Sequence, residues 1–238
     1  MDHEEAIRAA HLEPHAKGSR IRDFILGWQD GLVNVLGIIL GVAVATESTS
    51  IVIIAAIAAA FAESVSMAAV AYTSFKAERD YYQAEVVREK YEMKKMPNVE
   101  RSEVRDIYRK LGFSGAMLDR IVKHITSNKK RWLNVMMEQE MKLFPSRTSP
   151  LNIAAVVGLS AIIGSFIPVV PFLIYPVKTA IWTTLVISTV VLFFVGVYKA
   201  KTTVGNPINS VIELAAIGMI AAIIGYAVGA ILGVTIVG

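Results

Sequence analysis

Apolar residues fall in five long blocks along the chain, and polar residues gather between them. The blocks cover Phe24–Thr46, Ile51–Phe75, Leu151–Tyr175, Ala180–Tyr198 and Ile208–Val237. A helix needs about 20 mostly apolar residues to cross a bilayer, so each block predicts one membrane span. The third and fourth contain no charged residue, and the others contain one carboxylate each: Asp30, Glu63 and Glu213. Lys76–Ser149 reads differently. It has amphipathic helical periodicity, broken at Pro97, Gly112 and Pro145. The pattern predicts a helix over 76–96 running straight out of span two, a second over 100–111, and a third over 115–143 with a break near Ser127. Ser102, followed by Glu103 and Arg105, reads as a helix start. The fold class is all-α: an integral membrane protein with five transmembrane helices and a helical insert between helices two and three. The chain divides into an N-terminal arm (1–22), helices one and two (23–75), the insert (76–149) and helices three to five (150–238).

Composition supports this reading. Of 238 residues, 54% are hydrophobic and 18% charged, and the mean hydropathy is +0.52. A soluble domain carries roughly a quarter charged residues. With no cysteine, disulfides, thiolate metal sites and cysteine nucleophiles are excluded. The net charge of +4 is unevenly spread: the insert holds 17 of the 24 basic residues and 11 of the 20 acidic ones. Lysine and arginine favour the cytoplasmic side of short loops. Arg8, Lys17, Arg20 and Arg22 in the arm, the insert, and Lys199 and Lys201 after span four all lie on one side of a five-span topology. The opposite loops hold only Lys178. This places the N-terminus and insert in the cytoplasm and the C-terminus across the membrane, with the same bias expected in a plasma or a vacuolar membrane. The polar first 23 residues do not form a signal peptide.

Glycines recur at helix-packing intervals, with Gly27, Gly31, Gly37 and Gly41 in span one and Gly225, Gly229 and Gly233 in span five. Such spacing lets helix backbones approach closely in lipid. Two seams in a chain with an odd number of spans point to a homodimer.

A charge at bilayer depth costs roughly 2.5–3.5 kcal/mol or more and so needs a reason. Asp30 lies about two turns into span one, with Asn34 one turn deeper; Glu63 lies mid-span in helix two, with Met67 one turn on. Facing each other, these residues offer carboxylate, amide and thioether groups. That set suits a borderline transition ion such as ferrous iron better than magnesium or calcium. The alternatives are a helix-end role for Asp30, a neutral hydrogen-bonded Glu63, packing for Met67, and an interfacial or hydrogen-bonding role for Glu213. In the insert, Glu85, Glu89 and Glu92 share a helix face, Glu100 and Glu103 lie three apart on the next helix, and Met136-Met137-Glu138-Gln139-Glu140 follows. Paired carboxylates on converging helices build metal clusters. Lys90, Lys94, Lys95, Arg101 and Arg105 are interleaved, so surface salt bridging competes with that reading. His124, His3, His11 and His15 lack ligand spacing. No nucleotide or nucleic-acid motif is present.

The chain resembles the vacuolar iron transporter family from about residue 20 onward. The resemblance is carried by Ile21-Arg22-Asp23-Phe24-Ile25-Leu26-Gly27 with Asp30-Gly31-Leu32; Ser66-Met67 with Lys76-Ala77-Glu78; Trp132 with Met136-Met137 and Glu140; Pro168-Val169-Val170-Pro171 with Pro176; and Gly205-Asn206-Pro207 with Glu213. It implies a homodimeric carrier in the lipid bilayer that exports ferrous iron, with manganese as a second substrate, in exchange for protons. Cobalt and zinc are further substrate ions to compare, and no cofactor is permanently bound. By position, Asp30 and Met67 match the family's pathway aspartate and methionine, with Glu63 and Asn34 beside them. Glu89, Glu92, Glu100, Glu103, Met136, Met137 and Glu140 match its cytoplasmic metal ligands. One departure stands out: the plant-type glutamate two turns before the methionine is Ala59 here. Two readings compete with the carrier, a membrane-bound di-iron carboxylate oxidase and a structural or sensory membrane protein.

Overall fold

The computed structural model describes residues 15–145, 148–202 and 206–237, apart from the side chains of 15–20, 202, 207 and 234–237. The readings placed on Arg8, Lys17, Arg20, His3, His11, the His15 side chain and Gly205 lie outside the described residues. Eight α-helices are described: α1 (His15–Thr46), α2 (Thr49–Lys95), α3 (Pro97–Lys110), α4 (Gly115–Thr126), α5 (Lys129–Val135), α6 (Pro150–Ile174), α7 (Val177–Thr202) and α8 (Pro207–Val237). α1, α2, α6, α7 and α8 are long and apolar enough to cross a membrane. The helices outrun their apolar blocks, as α1 does by nine residues at its start, because polar flanking residues continue a helix without belonging to the span. The chain forms two compact units, one of residues 1–72 and 150–238 and one of residues 73–149.

In the first unit, Val35, Ile39 and Ala43 of α1 pack with Val52, Ala56 and Ala60 of α2, Val169 and Phe172 of α6, and Ala180 of α7. Large apolar side chains such as Ile54, Val65, Leu159, Trp182 and Phe194 are exposed, as lipid-facing positions require. Small hydroxyls turn inward instead. Ser64 Oγ donates to the Gly158 carbonyl at 2.6 Å, tying α2 to α6, and Thr184 Oγ1 donates to the Pro168 carbonyl at 2.8 Å, tying α7 to α6. The second bond lies where Pro168 and Pro171 interrupt the α6 ladder.

The glycine seams are used inside the chain. Gly27 and Gly31 of α1 lie against the Val157 and Ala161 carbonyls of α6; Gly37 and Gly41 lie against Ala221 and Gly225 of α8. From the other side, a Cβ on Gly225 or Gly229 would overlap the carbonyl of Gly37 or Gly41. The spacing that pointed to a dimer is therefore spent on packing α1 between α6 and α8, and it no longer argues for a second copy. Gly229→Leu should cost about 2 kcal/mol or more through overpacking and lower the melting temperature in detergent. Gly218→Ala, whose neighbour is the flexible Leu192 side-chain tip, should change it far less.

In the second unit, Val104, Leu118, Val122, Ile125, Trp132 and Met136 form the core. α3 begins at Pro97, not near Ser102, with Met96 the single residue separating it from α2. Proline has no N–H to leave unpaired and a φ already suited to a first helical turn; Ser102 lies inside the helix. The break expected near Ser127 is made by Asn128, whose side chain accepts from the Lys130 and Arg131 N–H groups at 3.0 and 3.1 Å. The expected α-helix to residue 143 is not continuous. α5 passes into a π-helical turn over Met136–Glu140, closed by Met141 N–H to the Met136 carbonyl at 3.2 Å. The wider turn shifts the residues after Met136 off the α-helical face that packs into the core.

Candidate functional site

Two groups of carboxylates stand out, one in each unit. In the first unit, Asn34 Nδ2 donates to Asp30 Oδ2 at 3.3 Å within α1. The Asp30 carboxyl is also in hydrogen-bond contact with Glu63 of α2. Two carboxyls in such contact need a proton, or a cation in its place, between them. The structure thus brings Asp30, Asn34 and Glu63 together. Met67 lies one turn beyond Glu63, also half-buried. Ser64 and Ala68 set the rotation of α2 by packing on Gly158, which turns Glu63 and Met67 onto the adjacent face. Ala59 packs against the apolar core, so the position that departs from the plant-type pattern is an apolar one here. Glu213 is separate: it accepts from Lys199 Nζ at 3.0 Å, linking α7 and α8. Asp23, which nothing in the sequence pattern marks as a site, is buried and held by Arg22 at 3.2 Å.

In the second unit, the α2–Met96–α3 corner sets Glu89 and Glu92 before the turn and Glu100 and Glu103 after it. Glu89 and Glu100 are only 1% and 3% exposed. Their carboxyls are in hydrogen-bond contact, while Glu89 Oε1 and Glu100 Oε2 are buried without any N–H or hydroxyl donor. Burial first, then the hydrogen bond and charge of Glu100 and the charges of Glu140 and Glu92, push the Glu89 carboxyl up to about 8. Burial raises Glu103 as well, helped by the charges of Glu100, Glu92 and Asp106. Glu140 is raised by burial and by Glu103, Glu100 and Glu92, against a lowering by Arg88. Five carboxylates therefore lie in one shared field. They are near neighbours rather than a closed shell: among the described residues no three acidic or histidine side chains already converge as a metal cage.

Three of the cations that the sequence offered as partners are engaged elsewhere. Arg105 pairs with Asp119, Arg101 lies over the Trp132 ring and Lys95 over Tyr91. Among the described residues, none of the ion pairs involves Glu89, Glu100, Glu103 or Glu140. Met136 is packed into the apolar core and Met137 is buried beside it on the π-turn. His124 contacts Arg131. The signal that sequence reasoning left unused was Glu85-Arg88-Glu92, spaced i, i+3, i+7 on one helix.

A family model described as the VIT family matches residues 21–230. The chain belongs to the VIT family. It is 33% identical to "Vacuolar iron transporter 1" of Arabidopsis thaliana, over 89% of this chain and 86% of that protein. It is 30% identical to "Vacuolar iron transporter 1" of Tulipa gesneriana, over 94% and 92%, and to "Vacuolar iron transporter" of Plasmodium falciparum, over 89% and 82%. The relatives of this VIT-family chain are transporters, so it is not an enzyme, and the di-iron oxidase reading falls. Its apolar helices make it a membrane protein.

Proposed function

We propose that this VIT-family protein carries ferrous iron, and manganese as a second substrate, out of the cytoplasm in exchange for protons. The names of its relatives support metal transport. The observation that carries the reading is the Asp30–Glu63 contact between two apolar helices, joined by Asn34 and followed one turn on by Met67. Carboxyls at bilayer depth are too costly to keep without a use. A divalent ion between Asp30 and Glu63 would take the place of the proton their contact requires, so loading metal releases a proton and unloading takes one up. Glu89, Glu92, Glu100, Glu103 and Glu140, with Met137 and Met136 nearby, gather the ion before transport. The lysine and arginine distribution supports a cytoplasmic N-terminus and insert. A homodimer is supported by the family resemblance and by the exposed Asn34 and Ile38 of α1, which border an apolar groove of about 630 Å³ between α1 and α8.

Metal flux into proteoliposomes tests the reading, with ferrous iron compared against manganese, cobalt and zinc. Flux should rise when the lumen is acidic, and metal entry should drain the proton gradient. Flux indifferent to the gradient overturns proton exchange. No flux of any of the four ions overturns the carrier.

A further inference from the structure

Among the described residues one cation does reach the acidic cluster, and it belongs to the protein. Arg88 grips Glu85 in a fork, with Nη2 to Oε2 at 2.8 Å and Nη1 to Oε1 at 3.3 Å. Its Nε lies 3.8 Å from Glu92 Oε1. Glu85 is nearly buried, whereas the Arg88 side chain is 56% exposed. The guanidinium therefore lies on the outer side of the cluster, anchored at Glu85 and leaning on Glu92. Its charge is also felt at Glu140. Lys90, Lys94, Lys95, Arg101 and Arg105 have no such ion pair with the cluster.

We propose that Arg88 is a built-in counter-cation that competes with metal for Glu92 and withdraws onto Glu85 as an ion loads, so that Glu85 anchors the arginine and is not a metal ligand. The proposal rests on the insert glutamates being the collecting site. An exposed guanidinium can shift by one rotamer without disturbing the core, and Glu85 and Glu92 flank it one turn to either side. When the metal leaves, Arg88 returns to Glu92 and hinders immediate recapture. The device keeps binding reversible, which a carrier requires, because an ion held too tightly is not passed on.

The test is manganese binding to the full-length protein in detergent, by calorimetry at one fixed pH and ionic strength. Arg88→Gln should bind about tenfold tighter: it removes one repelling charge, which a divalent ion feels twice and a competing proton once. Arg88→Lys should stay near wild type. Glu85→Gln frees the guanidinium to settle on Glu92 and should weaken binding several-fold. The double variant Glu85→Gln/Arg88→Gln decides the role of Glu85. If Glu85 only anchors Arg88, the double variant, which loses one positive and one negative charge, binds near wild type; if it binds clearly below wild type, Glu85 is a ligand and the anchor role is overturned. Unchanged or weaker binding in Arg88→Gln overturns the counter-cation. Glu89→Gln/Glu100→Gln is the control for the underlying site: if it binds like wild type, the collecting site itself fails, whereas lost binding with an indifferent Arg88→Gln sinks only the arginine's role.

Discussion

Asp30→Ala should lower ferrous iron flux into proteoliposomes by about a hundredfold, the equivalent of losing one strong charged contact in a low-dielectric passage. Asp30 is the meeting point of the membrane carboxylate group, since it accepts from Asn34 and contacts Glu63. Removing it leaves both neighbours without their shared partner and, on the proposed reading, takes a negative charge from the place where the ion would shed water. The variant should still fold, because α1 is held by the contacts of Gly27 and Gly31 with α6 and of Gly37 and Gly41 with α8. Metal binding by the glutamates of the insert should also persist. Glu63→Gln separates the two carboxyls' roles: if Glu63 substitutes for the carboxylate replaced by Ala59, its flux falls nearly as far as that of Asp30→Ala. Flux within twofold of wild type for Asp30→Ala, with correctly folded protein, would remove the membrane site from the mechanism.

The five spans were legible because lipid leaves a helix little freedom in composition: a long apolar block can hardly be anything else. The carboxylates within them were legible for the same reason, since a charge in such a block stands out against its cost. What the sequence concealed was partner choice. Gly225 and Gly229 announced close packing but could not say whether the facing backbone was a second copy or α1 of the same chain. In the insert the acidic spacing was visible, yet lysines and arginines at helical intervals offered an equally good account as salt bridges. Only the fold shows Arg101 turned to Trp132, Arg105 to Asp119, and Glu89 meeting Glu100 with no lysine or arginine paired to either. The π-turn at Met136–Glu140 left no trace in the periodicity, because five residues are too few to display a changed period against the helix before them. Ser102 resembles a cap but lies inside α3, whose start is set by Pro97 through its ring geometry.

Manganese binding to the insert should tighten about a hundredfold between pH 6 and pH 8, or roughly tenfold per unit for one displaced proton. Glu89 has its carboxyl raised from the ordinary 4.5 to about 8, so the metal-free folded protein holds a proton there through most of this range. Metal must expel it, and protons compete less as pH rises. The folding contribution has the opposite sign. A carboxyl whose folded value lies above its unfolded one stabilises the metal-free fold fully below about 4.5, and that contribution is lost as pH climbs through about 8. The metal-free insert should therefore soften over this interval while the metal-loaded insert firms, and thermal melts with and without manganese should diverge progressively. Glu103 and Glu140 are raised in the same direction, by burial first and then by their acidic neighbours. Glu89→Gln, neutral at every pH, should flatten the affinity curve and bind more weakly than wild type at pH 8. A wild-type dissociation constant that does not move between pH 6 and pH 8 would mean that no proton leaves when the metal arrives. The buried Glu89–Glu100 contact would then be a structural bond and not part of the collecting site.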